Sequence, residues 1–332
     1  MLGRLIYAVI GAWTVLPAAL HAATPVPSVL AKYQSDGMLS LSDASWAKAR
    51  FDHDDQSRAV WAEISAWVEQ RKRERTAEIR SELEHKGATA SSLKEDCYDD
   101  DTCQALVDFE QMAGKFPNWN ALHSAAQEAW PAVQGFRLAA QTAEHVMTSF
   151  QPSLADRLRA AQVSDQIYRI GITGFQFPQR RMPELSAAAT EWFLFALNQD
   201  MRQVDRRHTV LLKGLIANGG WPSRSAVTER GQADAWLVVQ HSDQDPVFQY
   251  DILTLLKPLV SQEITASNYA YLYDRVNLKL AGHQRYASQL ECKDGRLQPQ
   301  PLEDPAKLDA YRHEAGLPPL ADYLKHFPPA CH

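Results

Sequence analysis

The residues of this chain best equipped for chemistry are carboxylates, imidazoles and guanidiniums set at helical spacing, where packing would favour apolar side chains. Asp165 and Arg169 recur with Leu158, Ala161 and Tyr168, which puts both on the inner face of a helix, one turn apart and able to pair. The later stripe Met201, Val204, Asp205, His208, Leu212 and Leu215 gives Asp205 and His208 core-facing positions. Ala233, Trp236 and Leu237 fall at i, i+3 and i+4, which carries an inward stripe on to Gln240 and His241. Asp243 follows in a short acidic turn. Asp245-Pro246 then reads as an N-cap and first helical residue, and Gln249 shares a stripe with Ile252, Leu253 and Leu256. A last helix packs through Tyr269, Leu272, Tyr273 and Val276 with Asp274 and Arg275 at its shoulder, and the loop beyond it carries Tyr286 and Gln289.

Such a set suits general acid–base catalysis. His241 can take a proton, and Asp243 or Asp205 can fix its tautomer. Asp165 joins these three as the catalytic group. Arg169 or Arg275 can hold an anionic group or a developing charge, with His208, Gln240, Asp274 and Gln289 as further ligand-binding groups and Trp221 and Tyr286 as walls. The sequence has no Gly-x-Ser-x-Gly elbow, His-Glu-x-x-His or phosphate loop, so the nucleophile for a hydrolysis is water. His241, Asp243, Asp205 and His208 make a nitrogen and oxygen set, but His-x-Asp across a helix end is a weak ligand signal. No metal or cofactor is expected. The competing reading is a hydrogen-bonded network that knits a core, since an unpaired buried polar group costs about 1 to 3 kcal/mol. That reading suffices for one pair such as Asp165 with Arg169. For a set borne by several helices a pocket is the better account, because apolar residues would pack as stably.

The elements that must position these groups are helical throughout, so the fold expected is an all-α helical bundle with an inward-facing polar cluster in its C-terminal part. Apolar content of 45% and charged content of 22% are those of a globular protein. A net charge of -6 leaves no basic footprint for a polyanion, which excludes nucleic acid as a partner. Residues 1–23 read as a signal peptide, with Arg4, an apolar run from Leu5 to Leu20, and Ala22 and Ala23 before the cleavage point. The run is short and contains Pro17, so no membrane span is expected after cleavage, and the mature protein is expected to be periplasmic or secreted.

Four cysteines in an exported chain suggest two disulfides, with Cys97–Cys103 and Cys292–Cys331 favoured by spacing. Residues 24–150 read as a helical N-terminal domain or extension and 151–332 as a second helical domain. The helix from Gln56 to Lys86 begins with the stripe Val60, Trp61, Ile64, Trp67 and Val68 and ends in an almost wholly charged half from Glu69. That half reads as a solvated helix that projects from the body or crosses between its parts. Glu95 to Asp101 reads as a solvated, disulfide-closed acidic loop, because EF-hand spacing is absent. A helix from Trp119 to Phe150 is expected to be interrupted near Pro131.

The series Asp165-Gln166-Ile167-Tyr168-Arg169, Val204-Asp205-Arg206-Arg207-His208-Thr209, Gly220-Trp221-Pro222, Gln240-His241-Ser242-Asp243, Tyr271-Leu272-Tyr273-Asp274-Arg275-Val276 and Gln284-Arg285-Tyr286-Ala287-Ser288-Gln289 resembles, in order and spacing, a large bacterial family whose helical domain has no assigned function. The resemblance spans about Leu154 to Phe327. This chain has His208 where the pattern has Asn, Ser242 for Ala, and Ala287-Ser288 for Gly-Thr. The last departure bears on a tight backbone approach, since Ala resists the positive φ that Gly accepts. The resemblance implies a domain and no reaction.

Together these features describe an uncharacterised exported helical protein with a ligand-binding or catalytic pocket in its C-terminal part. Its concrete form is water-mediated hydrolysis of a small periplasmic molecule or cell-wall fragment. The alternative is a non-enzymatic periplasmic binding or inhibitor protein that grips a partner protein through the charged helix and residues 24–150.

Overall fold

A computed structural model describes residues 24–35, 38–40, 45–176 and 182–327. The expected leader, and Cys331 of the second expected disulfide, lie outside the described residues. The fold is the expected all-α bundle, with two short antiparallel hairpins added. Its elements are α1 (Ser28–Ala31), β1 (Gln34–Ser35), β2 (Met38–Leu39), α2 (Asp55–His85), α3 (Asp101–Ala113), α4 (Trp119–Thr148), α5 (Leu154–Thr173) and α6 (Ala187–Gly219). They continue with α7 (Arg224–His241), α8 (Pro246–Leu256), α9 (Ala266–Ala281), the hairpin β3 (Leu290–Lys293) and β4 (Arg296–Pro299), α10 (Leu308–Glu314) and α11 (Leu320–Leu324). Among the described residues no helix is long and apolar enough to cross a membrane.

The helix ends follow local chemistry. Asp54, Asp100, Asn118, Ser153, Ser186, Asp245 and Thr265 each accept a backbone N–H of the first turn they precede, satisfying donors that a helix start leaves unpaired. Ser153 and Asp156 form a full capping box. Gly282 ends α9 in the left-handed conformation. At Pro131 the expected interruption does not occur: α4 runs through it. Ala129 and Val133, on either side, are both fully buried, and packing of α4 on α5 and α6 outweighs the backbone bond that proline removes.

Two apolar cores organise the bundle, and α2, α5 and α6 pass through both. The first core takes Ile64, Trp67 and Val68 from α2, Tyr168 from α5 and Trp192 to Val204 from α6, and it reaches back to Leu30, so it draws on both sides of position 150. The second takes Ile79 and Leu83 from α2, Leu158 and Ala161 from α5 and Leu212 from α6, together with α7, α8 and α9. Between the cores each of the three shared helices presents polar residues: Arg71 and Thr76, Ser164 and Asp165, and His208 and Thr209 are all buried. A polar layer thus separates two hydrophobic ones.

The charged half of α2 crosses between the cores, one of the two arrangements expected for it, and it is not solvated throughout. Arg71 Nε donates to Asp100 Oδ2 at 2.9 Å, Arg75 pairs with Asp99, and Lys86 Nζ reaches Asp251 Oδ2 of α8 at 2.9 Å. Three of the loop's five carboxylates, Asp99, Asp100 and Asp101, are thus paired with arginines of the chain, and the expected Cys97–Cys103 disulfide closes it.

Candidate functional site

Within the polar layer, α5, α6 and α7 bring one set of ionisable groups into direct contact. Asp165 and Arg169, one turn apart on α5, pair through Oδ1 and Nε at 2.6 Å. The guanidinium reaches across to α6, where Nη2 donates to Asp205 Oδ2 at 2.9 Å. From the end of α7, His241 Nδ1 lies 2.9 Å from the other Asp165 oxygen, Oδ2, which also accepts from Gln166 Nε2 at 2.8 Å. Arg169 thus ties two carboxylates on neighbouring helices, and Asp165 ties that pair to the imidazole.

The two carboxylates share this environment unequally. Burial pushes Asp205 up to about 8, and the neighbouring Asp165 charge adds to that push against the pull of Arg169. Burial acts on Asp165 in the same sense, but hydrogen bonding to His241 and the charge of Arg169 oppose it and hold its carboxyl below the ordinary range. Like charges this close cannot both ionise cheaply. Burial and this repulsion therefore favour the pair with Asp165 ionised and act against ionisation of Asp205, which Arg169 alone opposes.

A cavity of about 130 Å³ opens beside the cluster. Asp205 and His241 line it, with Thr209, Val210, Lys213 and Ser242. Asp165 and Arg169 stand behind. Thr209 Oγ1 bonds the Asp205 carbonyl at 2.8 Å, Ser242 Oγ bonds the Val238 carbonyl at 2.8 Å, and the two hydroxyls meet at 2.7 Å. Asp99, in the disulfide-closed loop, contributes to the far wall, and Arg206 beside it bonds the Asp99 carbonyl and the Asp101 carboxylate.

Of the other expected site residues, His208 stands next to the cluster but turns to Ser164 Oγ, 3.4 Å from Nε2. Burial, and after it the charge of Arg207, presses its imidazole down to about 4, so it is neutral at ordinary pH. Gln240, Asp243 and Arg275 form a separate group at the end of α7: Arg275 donates to Gln240 Oε1 at 3.0 Å and to Asp243 Oδ2 at 2.6 Å. The Asp243 side chain is 48% exposed and does not fix the His241 ring, as expected of it or Asp205. Asp165 does that. Gln249, fully buried as its stripe requires, donates to the Val239 carbonyl at 3.0 Å and closes the end of α7.

Asp274, Tyr286 and Gln289 belong to a third place. The Asp274 carboxylate is 0% exposed and accepts the backbone N–H groups of Arg285, Tyr286 and Ser288 at 2.8 to 2.9 Å. Gln289 N–H donates to Gln284 Oε1 at 2.9 Å, and Tyr286 packs edge-on against Tyr273 and Tyr311. Trp221 is buried within the second apolar core and does not line the cavity. The expectation of one common pocket is thus corrected: the structure brings Asp165, Arg169, Asp205 and His241 together and places the others elsewhere.

The expected phase of α7 is also corrected. Ala233 is exposed and Trp236 and Leu237 are half-buried, while Asp234, Ala235, Val238, Val239 and Gln240 are buried. Thr228 breaks the helical backbone with φ 65 and ψ 171, and the helix is covered by α5 on one side and by α8 and α9 on the other. A helix buried on two sides has no single stripe to read. In the sequence Thr209 and Ser242 are named only within the motif series and not as site residues. Thr209 stands four residues after Asp205, so the same periodicity points to it.

Asp165, Asp205 and His241 are also the described residues that come nearest to a metal-ligand set, with one ligand atom of each within 4.8 Å of the others. A divalent ion there would sit against the Arg169 guanidinium, which already supplies the positive charge these carboxylates need.

A family model described as a family of unknown function (DUF6624) matches residues 185–331. No match is found among curated proteins or among solved structures. The matched stretch contains Asp205 and His241 and begins after Asp165 and Arg169, so the cluster joins the matched region to the chain before it.

Proposed function

We propose that this protein is an exported acid–base catalyst that hydrolyses a small molecule with water as the nucleophile. The observation that carries this reading is that Asp205, whose carboxyl burial pushes up, and a His241 paired through Nδ1 with Asp165 line one cavity. With Nδ1 donating to Asp165, a neutral His241 ring has Nε2 as its acceptor. Water between His241 and a bound electrophile gives its proton to Nε2, and Asp205 gives its own proton to the departing group. Arg169 keeps both carboxylates in place throughout. The Thr209 and Ser242 hydroxyls have two protons for three contacts, to the Asp205 and Val238 carbonyls and to each other, which favours water over either as the attacking group.

The leader-like first 23 residues support export, with the acceptor molecule in the periplasm or outside the cell. The alternative of a non-enzymatic binding protein that grips through the charged helix is weakened, because Arg71, Arg75 and Lys86 are paired within the chain.

The test is a pooled hydrolase screen of the purified protein with His241→Ala and Asp205→Asn alongside. Both variants are expected to stay folded and lose turnover by about a hundredfold or more, and dialysis against a chelator is expected to leave turnover unchanged. Full turnover in His241→Ala removes the proposal. Infrared spectroscopy gives a check that needs no substrate: a protonated carboxyl band present at pH 7 and missing in Asp205→Asn. Its absence from the wild type would remove Asp205 as the acid.

A further inference from the structure

On the α4 side of α5 and α6, rather than the α7 side that holds the acid–base cluster, lies a larger cleft of about 340 Å³. That volume is at the lower end for small-molecule sites. Its ionic groups are matched within the protein. Arg137 of α4 grips Asp200 of α6 through two hydrogen bonds, at 2.6 and 2.9 Å, and Arg207 stands 4.0 Å from Glu144. Two cations and two anions leave the cleft without net charge, so an ionic ligand meets no excess of opposite charge there, although Arg207 at 4.0 Å makes no hydrogen bond to Glu144.

The groups left to bind something are neutral. Gln141 of α4 and Gln203 of α6 line the cleft, and neither side-chain amide has a hydrogen-bond partner among the described residues. Tyr168 is 4% exposed, yet it lines the same cleft with its hydroxyl also unpartnered among those residues. Burial and the nearby Asp200 push that phenol up to about 12, so it stays an O–H donor and acceptor. Each amide offers donors and an acceptor. A ligand that matches two free amides and a phenol, while lying along the outer edges of two ion pairs, needs many hydroxyls and no charge.

We propose that this cleft binds a neutral polyhydroxylated ligand, a mono- or disaccharide, through Gln141, Gln203 and Tyr168. The inference is independent of the acid–base site and uses no turnover as readout. The full chain is titrated with glucose, N-acetylglucosamine and maltose by calorimetry and saturation-transfer NMR, with inorganic phosphate and acetate as charged probes. Saccharide binding is expected with a dissociation constant of about 1 mM, weakened roughly fivefold in Tyr168→Phe and in Gln203→Ala. Tyr168→Phe removes a single oxygen and keeps the ring, so loss of fold does not confuse the result. The proposal is overturned by no saccharide binding at about ten times that concentration. Binding unmoved by both substitutions, or a preference for phosphate or acetate, overturns it too.

Discussion

Asp274 and the Asp165–Asp205 pair are buried carboxylates in the same protein, and they differ in what meets them. Asp274 faces three backbone amides of one loop. Burial pushes its carboxyl up and those amides pull back. Asp165 and Asp205 face side chains: one guanidinium, one imidazole and each other. Asp205 also opens onto a cavity. A carboxylate saturated by fixed amides has no capacity left for a substrate and holds a loop in shape. One that shares a proton with its neighbour has a group to give and somewhere to deliver it.

This contrast breaks most sharply with paired substitutions. Asp274→Ala leaves three loop amides without their acceptor and is expected to cost about 3 kcal/mol or more of stability in urea unfolding. Asp205→Asn keeps a polar group of the same shape and is expected to cost less than about 1 kcal/mol near neutral pH while removing turnover. If Asp274→Ala unfolds no more easily than Asp205→Asn, the two sites are not different in kind.

Dependence on pH sharpens it further. Asp205 is raised from 3.8 to about 8 in the folded protein, so between those values the folded state holds a proton that the unfolded chain has lost. Its contribution is full below about pH 4 and falls away as the pH rises to about 8. The stability of wild type relative to Asp205→Asn is therefore expected to fall over that window, by at most about 1.4 kcal/mol per pH unit. Asp165, held low, acts in the opposite sense: its contribution is present above about pH 4 and is lost as acid protonates it. A flat difference between wild type and Asp205→Asn from pH 4 to 8 would contradict the shared-proton arrangement.

The smallest effect concerns the loop that Asp274 holds. Ala287 has φ 54 and is fully buried, so it adopts the left-handed backbone that alanine in place of the resembling family's glycine was expected to resist. The amides on either side, Tyr286 and Ser288, are both bound to Asp274, which keeps alanine in a conformation it resists. Ala287→Gly is expected to raise stability by up to about 1 kcal/mol, offset in part by the lost methyl. A loss of more than about 1 kcal/mol in thermal unfolding would mean the methyl matters more than the backbone.

Helix phase made the centre of the site legible. The spacing within α5 and α6 placed Asp165, Arg169 and Asp205 on faces that do meet, because each helix has apolar neighbours that fix its rotation. His241 also reached the site, although the stripe used to place it is wrong, since α7 is covered by other helices on more than one side and has no single inward face. Periodicity says that a residue points inward and is silent on what it meets there. For that reason Asp274, Arg275, Tyr286 and Gln289 were grouped with the wrong partners. Their partners are backbone groups of an irregular loop and the end of α7, which no repeat announces. The long α2 was legible in extent and half legible in role. Its cationic residues find partners far along the chain, in the disulfide-closed loop and on α8.

That helix has a further bearing on how the molecule comes apart. Its 31 residues lie under one core at Ile64 to Val68 and under the other at Ile79 and Leu83, and α5 and α6 are threaded through both in the same way. Melting either core strips half of each of these three rods, and a helix half stripped of its cover is marginal in water. The two cores are therefore expected to melt as one cooperative unit, with the polar layer between them clamped from both ends.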